Sequence, residues 1–468
     1  MLFTAALGVF LLPSTTFASP AGVARWVAET AKWGTLTASP PSRFIVAHDQ
    51  NSTKHVDPNN WENISAAVVP VAASKKHGGR IFFYLMHKKT LNGAALTLSQ
   101  ASFETDLFAM GACGQLSSAA DAQDPRCAKT TFMGDIAPCD VECEVIGKEA
   151  LFTAHPSMES WPTNHDFHVL EMRIDTVWMI ANFGGGIQIT SDDYTLAEPV
   201  PHKFQDGSKV DPLPPDNSIK VPNWNDTVAR SRWIVHHARW TTVSTSQHSQ
   251  EEGQYFGNVR AVTDGPYCES STGRPVFQFP NVDPTAKDMV QTEYKIALTF
   301  TEASIAARLA PDTMTPCGGE DAGSPTCGQV VLYGRAVPLD SSGMKVHHAL
   351  GWFKKTHPLA DWLATGGSHM SGKYYTISIA KIVILDFFGG FKEVNVDDYL
   401  QFDFTEYAGK FCQAYPSSAW SSDDAPTTLR FSVAFLFFVL ILILSFQLGK
   451  RHKKPQSYQV VAETTSAV

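Results

Sequence analysis

The sequence has no excess of positive charge: it contains 37 Lys and Arg against 46 Asp and Glu, for a formal net charge of −9. A protein that binds nucleic acid needs a basic surface that neutralises backbone phosphates. The charge balance therefore argues against direct nucleic-acid binding.

The sequence also lacks a recognisable set of catalytic groups. Gly184-Gly185-Gly186 follows a predicted strand but has neither the GxGxxG spacing nor the following helix of a nucleotide-binding loop. His155 and His165 have no carboxylate partner at a defined spacing, so we predict that they pack or hydrogen-bond within the fold. Asp192-Asp193 and Asp397-Asp398 directly follow strands, where aspartates commonly cap a helix. We therefore predict a non-enzymatic protein.

Charge is absent from two apolar segments near the ends of the chain. Residues 1–18 end in Thr16-Phe17-Ala18 and resemble a cleaved signal peptide, although they contain no Lys or Arg. Residues 431–448 form an uncharged run of about 27 Å as a helix, which is enough to cross a bilayer. The basic cluster Lys450–Lys454 follows at once and is typical of a cytosolic flank. These features predict a type I membrane protein, with a stalk at 413–430 and a cytosolic tail at 449–468.

This topology places the bulk of the chain in a secretory compartment. Three N-glycosylation sequons begin at Asn51, Asn63 and Asn225 and would be used there. In the tail, Tyr458 to Val461 matches a Tyr-x-x-apolar sorting peptide, and Ser466–Val468 could enter a groove that binds a terminal carboxylate. We expect an endolysosomal or plasma-membrane location.

Eight cysteines in an oxidising compartment indicate disulfides. Two pairs bracket polar, Gly-rich loops at matching places in the chain, and two pairs are left over. A metal site at Cys139-x3-Cys143 is disfavoured because no second pair of ligands lies nearby. The predicted bridges are Cys113–Cys127, Cys317–Cys327, Cys139–Cys143 and Cys268–Cys412.

The chain contains two copies of one domain. Arg25-Trp26-Val27 with Trp33 recurs as Arg232-Trp233-Ile234 with Trp240, and His155-Pro156 recurs as His357-Pro358. The long apolar run 167–183, its Gly-Gly break and the following Asp-Asp-Tyr recur after about two hundred residues. Because the order is kept, we predict a duplicated domain rather than a short repeat. The copies span 19–198 and 230–412, and the Pro-rich linker spans 199–229.

Most segments of each copy read as strands, which points to a small closed barrel with peripheral helices. The long run suits either one bent strand or a pair of strands. Residues 48–66, which are polar, are expected to form a surface loop. The predicted helices are 25–32, 144–153 and 345–356, and the predicted strands are 33–38, 80–85, 94–98, 129–136, 275–279, 295–300 and 329–336.

These motifs resemble the CREG family of secreted glycoproteins. The resemblance is carried by Ala24–Val27 with Trp33–Leu36, by Phe152–Pro156, by Trp161-Pro162 with His165, and by Trp178 before Phe183-Gly184-Gly185. It is stronger for the first copy than for the second, which has Gly366–His369 in place of Trp-Pro. The loop closed by the predicted Cys113–Cys127 disulfide also matches the family.

The resemblance implies a mainly β (α+β) fold: two split β-barrels of the flavin-reductase and pyridoxamine-phosphate-oxidase type. Such barrels dimerise, and the flavin enzymes among them bind FMN at the dimer interface, whereas CREG proteins look like members that lost this site. Since this chain has two barrels, we expect them to pair with each other. A linker raises their effective concentration to roughly millimolar.

The resemblance leaves one alternative, an FMN-dependent oxidoreductase with its flavin between the barrels. The phosphate would then need cations or hydroxyls after the strand 80–85, where His87, Lys88, Lys89 and Thr90 stand. Thr285 and Lys287 match them loosely in copy two. A solvated turn is the favoured interpretation, because two lysines in a row are common at the end of a strand. We therefore expect no cofactor, and a function based on binding an unidentified protein or ligand.

Overall fold

The computed structural model describes residues 19–39, 64–86, 88–103, 113, 122–182, 184–202, 220–248, 251–265, 271–305, 317, 321–339, 344–357, 360, 372–388 and 390–408. Met1–Pro416 forms one compact unit, whose described residues contain both barrels, and Ser417–Val468 lies outside the described residues. Among the described residues no helix is both long enough and apolar enough to cross a bilayer. The predicted membrane segment 431–448 lies outside them.

The first barrel is an antiparallel sheet with three helices. Its strands follow the spatial order β2-β1-β5-β6-β7-β4-β3, and β8 pairs with β7. The elements are α1 (Pro20–Thr30), β1 (Trp33–Ala38), β2 (Ser65–Pro70), β3 (Ala72–Ala73), β4 (Ile81–Leu85), β5 (Leu91–Ser99), β6 (Lys129–Pro138), α2 (Val141–Ala154), β7 (His168–Ile180), β8 (Ile187–Thr190) and α3 (Ser191–Leu196).

The second barrel repeats this plan with one added helix. Its order is β11-β10-β9-β12-β13-β14-β15, and β11 also pairs with β14, so the sheet closes on itself. The elements are α4 (Thr227–His237), β9 (Trp240–His248), β10 (Glu251–Thr263), β11 (Val276–Phe279), α5 (Pro284–Gln291), β12 (Lys295–Thr301), β13 (Gln329–Pro338), α6 (Met344–Thr356), β14 (Lys373–Leu385), β15 (Lys392–Val394) and α7 (Val396–Gln401). The predicted mainly β fold with two barrels is confirmed.

The repeated Arg-Trp and Asp-Asp-Tyr motifs contact each other. Arg25 on α1 donates from Nη1 to the carbonyl oxygens of Thr195 and Ala197, at 3.0 and 3.2 Å, and its guanidinium lies over the Tyr194 ring. In the second barrel Arg232 donates to the Tyr399 carbonyl at 2.7 Å and covers that ring. The arginine thereby satisfies carbonyls at the end of the last short helix and ties it to the first helix of the barrel.

The long run 167–183 forms one bent strand rather than two. In β7 the register against β6 shifts between Met133 and Gly134, which pair with Thr176 and Ile174, and Asp175 is the extra residue. Such a β-bulge bends the strand around a barrel. Burial, together with the nearby Asp135, raises the pKa of the Asp175 carboxyl.

The structure corrects four expectations about the chain. Residues 65 and 66 belong to strand β2 rather than to a surface loop, β10 was not predicted, and α5 occurs where only the residues 86–90 stand in the first barrel. The predicted linker is also shorter than 199–229. Val200 N donates to Gly22 O at 2.9 Å and the His202 ring contacts Arg126 O at 2.8 Å, so the linker's start is fixed to the first barrel, and its end is already α4.

Candidate functional site

The two barrels contact each other around a line of equivalent residues. Trp33 and Trp240 stack with ring centroids 5.6 Å apart and planes 9° apart. Beside them Thr35 Oγ1 donates to Thr242 Oγ1 at 2.9 Å, and the next pair along the strands is Thr37 with Ser244, at 2.7 Å. Each pair is 207 residues apart, so every residue meets its own counterpart. Self-contacts of this kind mark a two-fold axis, here between two halves of one chain.

On one side of this axis the second barrel covers an edge of the first. The Val68 backbone N–H in β2 donates to Gln329 Oε1 at 2.9 Å, and Ala66 N lies 3.5 Å from the Tyr333 hydroxyl. Around them Ala66, Ala297 and Val331 form a buried apolar cluster. Side chains of the second barrel therefore satisfy strand-edge donors of the first, which would otherwise be buried without partners.

On the other side the first barrel covers β10 of the second. Thr131 Oγ1 donates to Gly257 O at 2.7 Å, and the Ala261 N–H donates to Gln123 Oε1 at 3.0 Å. Trp178 meets Phe256 edge to face, with centroids 5.4 Å apart. These contacts are buried, so this half of the interface is filled by protein side chains.

His155, from the repeated His-Pro motif, also crosses the interface. Its Nδ1 contacts Asp321 Oδ2 of the second barrel and its Nε2 lies 2.9 Å from Val71 O. His357 repeats the second contact, with Nε2 2.8 Å from Val262 O. Both histidines are buried. His155 hydrogen-bonds within the fold as predicted, and its counterpart His357 does the same, but the carboxylate partner of His155 was not foreseen.

The residues proposed for an FMN phosphate do not meet at this interface. Lys88 and Lys89 are exposed in the turn after β4, and Lys88 forms an ion pair with Asp166. Lys287 is exposed on α5, while Thr285 is buried and its hydroxyl accepts from Asn258 Nδ2 at 3.0 Å. His87 lies outside the described residues. The lysines are thus surface groups.

The helix α5 fills the corresponding place in the second barrel. Asp283 caps α5 by accepting from Thr285 N at 2.9 Å and forms an ion pair with the buried Arg260. Burial lowers the pKa of Arg260 to about 9, and its guanidinium lies 4.7 Å from the centre of the Phe279 ring. The N-terminus of α5 and the guanidinium of Arg260 are thus both already bonded to the Asp283 carboxylate. A phosphate dianion would be repelled there, so the residues present do not fit FMN.

The remaining predicted sites lie in the buried cluster around Trp33 and Trp240, elsewhere in the first barrel, on the surface, or outside the described residues. Disulfides join Cys113 to Cys127, Cys139 to Cys143 and Cys317 to Cys327. Because Cys139 and Cys143 are bonded to each other, their grouping with Glu171 is not a free metal site. Asn225 is exposed in a turn just before α4, and His165 is exposed. The predicted sites that lie outside the described residues are Asn51, Asn63, Cys268, Cys412, Tyr458 and Val461.

Sequence reasoning missed the polar residues that link the barrels. Gln123, Asp321, Gln329 and Tyr333 act across the interface, and no local motif marks them. One signal was present: an aspartate stands six residues before the second cysteine of both loops, at 121 and 321.

Comparison with known proteins agrees with this architecture. The family model described as "CREG, beta-barrel" matches residues 15–196 and again residues 222–401. Protein CREG1 of Gallus gallus is 37% identical over 79 residues, which are 17% of this chain and 41% of that protein. Protein CREG2 of Homo sapiens is 33% identical over 79 residues, or 17% of this chain and 27% of that protein. The matched segments therefore span less than half the length of these relatives.

Similar solved structures are distant. A heme binding protein from Mycobacterium smegmatis is 14% identical, with a TM-score of 0.27 over 62% of this chain and 86% of that one. A pyridoxinephosphate oxidase family protein from Clostridium acetobutylicum is 11% identical, with a TM-score of 0.25 over 38% and 99%. Likenesses of this size carry no argument about ligands.

The two segments matched by the family model cover more than half of the chain, and each contains one of the barrels. The protein therefore belongs to the CREG family, with two tandem copies of its β-barrel.

Proposed function

We propose that the protein is a non-enzymatic, CREG-like membrane glycoprotein that acts by binding a protein or another ligand in the secretory and endolysosomal pathway or at the cell surface. One observation carries this proposal: the interface between the barrels is occupied by the protein's own side chains. The stacked Trp33 and Trp240 and the hydroxyl pairs beside them leave polar groups bonded to each other across the axis. Groups that are already satisfied in this way are poor candidates for binding a cofactor.

The buried ion pairs of the second barrel also support the proposal that the protein acts by binding rather than through a cofactor. Arg260 is held by Asp283, and Arg230 is held by both Glu302 and Asp386. Burial is the main influence on Asp386 and raises the pKa of its carboxyl, although Arg230 opposes this shift. These groups are committed to ion pairs inside the second barrel. Binding is therefore assigned to the outer surface of the paired barrels.

The absorbance of the purified full-length protein tests this proposal. We expect no band near 450 nm after expression in cells that secrete glycoproteins, and no quenching of FMN fluorescence when equimolar FMN is added. A flavin band of one equivalent per chain would instead favour the oxidoreductase alternative and overturn the proposal.

The glycoprotein part of the proposal is supported by the setting of Asn225. Its side chain is exposed, and Asn225 N lies 3.2 Å from Asn223 Oδ1 in a turn that ends where α4 begins. A transferase needs such an accessible acceptor. We expect Asn225→Gln to remove the mass of one glycan from the full-length chain, whereas Asn223→Gln, which alters no sequon, should keep it. Equal masses for Asn225→Gln and the native chain would contradict this assignment.

The anchored topology is a separate part of the proposal and rests on the sequence of 431–448. We expect the full-length protein to stay in the membrane fraction after alkaline carbonate extraction, with its C-terminal tail accessible from the cytosol. Release into the supernatant would overturn it.

A further inference from the structure

The pairing of the barrels is two-fold at the axis but differs between the two sides. In a true homodimer, each contact away from the axis occurs twice with the same residues. Here equivalent positions can be identified from strand register: Pro70 pairs with Trp33, and Ala261 pairs with Trp240. Pro70 and Ala261 are therefore counterparts. The same register makes Val68 the counterpart of Val259, and Ala66 the counterpart of Gly257.

The two disulfide-closed loops have different residues at the point where each touches the other barrel. Gln123 stands four residues before Cys127, and Gly323 stands four residues before Cys327. Gln123 accepts from the Ala261 N–H at 3.0 Å. Gly323 lies against Pro70, where a Cβ atom would be only 2.7 Å from Cγ and 3.0 Å from Cβ of the proline ring.

The two loop contacts cannot be exchanged: Gln123 fits opposite Ala261, and Gly323 fits opposite Pro70. Proline has no N–H, so a glutamine acceptor opposite Pro70 would have nothing to bind and no room. Ala261 has an N–H, so a glycine opposite it would leave the donor without this acceptor. Each loop thus suits the strand of the other copy and not its own.

Two further positions follow the same rule. Gln329 accepts from Val68 N at 2.9 Å, and its counterpart on β6 is Lys129, whose ammonium can only donate. Lys129 is buried and donates to carbonyls of its own loop, including that of Asp124 at 2.9 Å. Two residues further along each strand, on the same face, Thr131 donates to Gly257 O at 2.7 Å. Its counterpart Val331 packs in the apolar cluster around Ala66.

We infer that this interface specifies pairing of the first barrel with the second and disfavours pairing of either barrel with a copy of itself. The partner of the first barrel's β2 edge is the Gln329 and Gly323 face of the second barrel. The partner of β10 is the Gln123 and Thr131 face of the first. Discrimination comes from both steric overlap and unmatched donors, as in other specific interfaces. The inference rests on the intramolecular pairing described above and is independent of what the protein binds.

Hydrogen exchange on the full-length chain tests this inference with a rescue design. Gly323→Gln places a glutamine against Pro70, so we expect exchange of the β2 amides in 65–69 to accelerate at least about tenfold. Adding Pro70→Ala removes the ring atoms and supplies an N–H, which recreates the Gln123 and Ala261 pair on the opposite side. We expect the double variant to return to within about threefold of the native rate. Pro70→Ala alone is the matched control.

A peptide covering β14 reports on global unfolding and should exchange at the native rate in all variants. If Gly323→Gln does not fold, Gln123→Gly supplies a milder test, with faster exchange expected at Ala261 but not in β2. Native exchange in Gly323→Gln, or failure of Pro70→Ala to restore it, would overturn the inference. A flavin band at 450 nm would overturn the proposed function and leave this result unaffected.

Discussion

His155 of the first barrel contacts Asp321 of the second barrel through Nδ1. The Nε2 atom of His155 lies 2.9 Å from the carbonyl oxygen of Val71, in its own barrel. A carbonyl can only accept, so Nε2 carries a proton and donates it. The ring is thus oriented by its own barrel and presents Nδ1 to the other.

This arrangement predicts different effects for two substitutions of Asp321. Asp321→Ala leaves the buried Nδ1 without its partner, and we expect the free energy of unfolding to fall by about 1–3 kcal/mol. In Asp321→Asn the amide N–H can donate to Nδ1, so most of this loss should be avoided. Urea unfolding of both variants checks this. Equal stability of Asp321→Ala and the native protein would show that the contact does not support the pairing.

The stacked tryptophans predict a large loss on truncation at the axis. Trp240→Ala should lower the free energy of unfolding by about 3–5 kcal/mol, because Trp240 is buried against Trp33. Trp224→Ala is the matched control: this residue is 42% exposed, and a clearly smaller change is expected. Thermal unfolding followed by far-UV circular dichroism compares them. Similar losses in the two variants would contradict a structural role for the axis pair.

A buried carboxylate predicts acid sensitivity of the second barrel. Asp264 accepts from the backbone N–H groups of Thr272, Gly273 and Arg274, at 3.0 to 3.1 Å, and from the hydroxyl of Ser271. Burial works against ionisation, but His236 and the hydroxyl donors outweigh it, so the pKa of Asp264 lies below its ordinary value of 3.8.

A carboxyl with a lowered pKa stabilises the folded state above its ordinary pKa, and this stabilisation is lost as the pH falls through the folded value. We therefore expect Asp264→Asn to be less stable than the native protein at pH 7, with the difference shrinking below about pH 4. Urea unfolding at pH 7, 5 and 3 measures this. Asp403→Asn, at an exposed carboxyl, should show a much smaller pH-dependent difference. A gap for Asp264→Asn that stays constant with pH would contradict the assignment.

The buried ammonium of Lys129 predicts that one side chain organises the first disulfide loop. Its Nζ lies within 2.9 to 3.3 Å of the carbonyl oxygens of Ala122, Gln123, Asp124 and Cys127. Lys129→Met would leave these acceptors buried without this donor, and we expect a loss of about 1–3 kcal/mol.

Hydrogen exchange should also accelerate in residues 122–128 of this variant, because the loop that carries Gln123 loosens. Lys148→Met is the control, since the Lys148 side chain is 43% exposed and forms an ion pair with Glu144 one helical turn away. Its effect should stay within about 0.5 kcal/mol. If the two lysine variants behave alike, Lys129 does not organise the loop.

The sequence predicted β1 and most of the other long barrel strands, and it missed β2 and β10. All residues of β2 are buried, one face by its own barrel and the other by the second barrel, so the alternation that marks a surface strand is absent. In β10 the buried Asn258 and Arg260 interrupt the apolar pattern, which hid that strand. The repeat itself was readable because Arg25, Arg232 and the two histidines make the same contacts in each copy.

The interface could be expected from the duplication, but its residues could not. Contacts such as Gln329 with Val68 join positions 261 residues apart, and a single sequence carries no register between the two barrels. Likewise Gln123 and Gly323 look like ordinary loop residues until the structure places them opposite Ala261 and Pro70.

Among the described residues the first barrel has no equivalent of helix α5, and this difference has a consequence for stoichiometry. An assembly of two identical chains would display such an insertion at both ends and would offer two equal landing places. A single chain with one α5 presents two different ends. A macromolecule that binds the end bearing α5 would therefore attach in one orientation and at a ratio of one per chain.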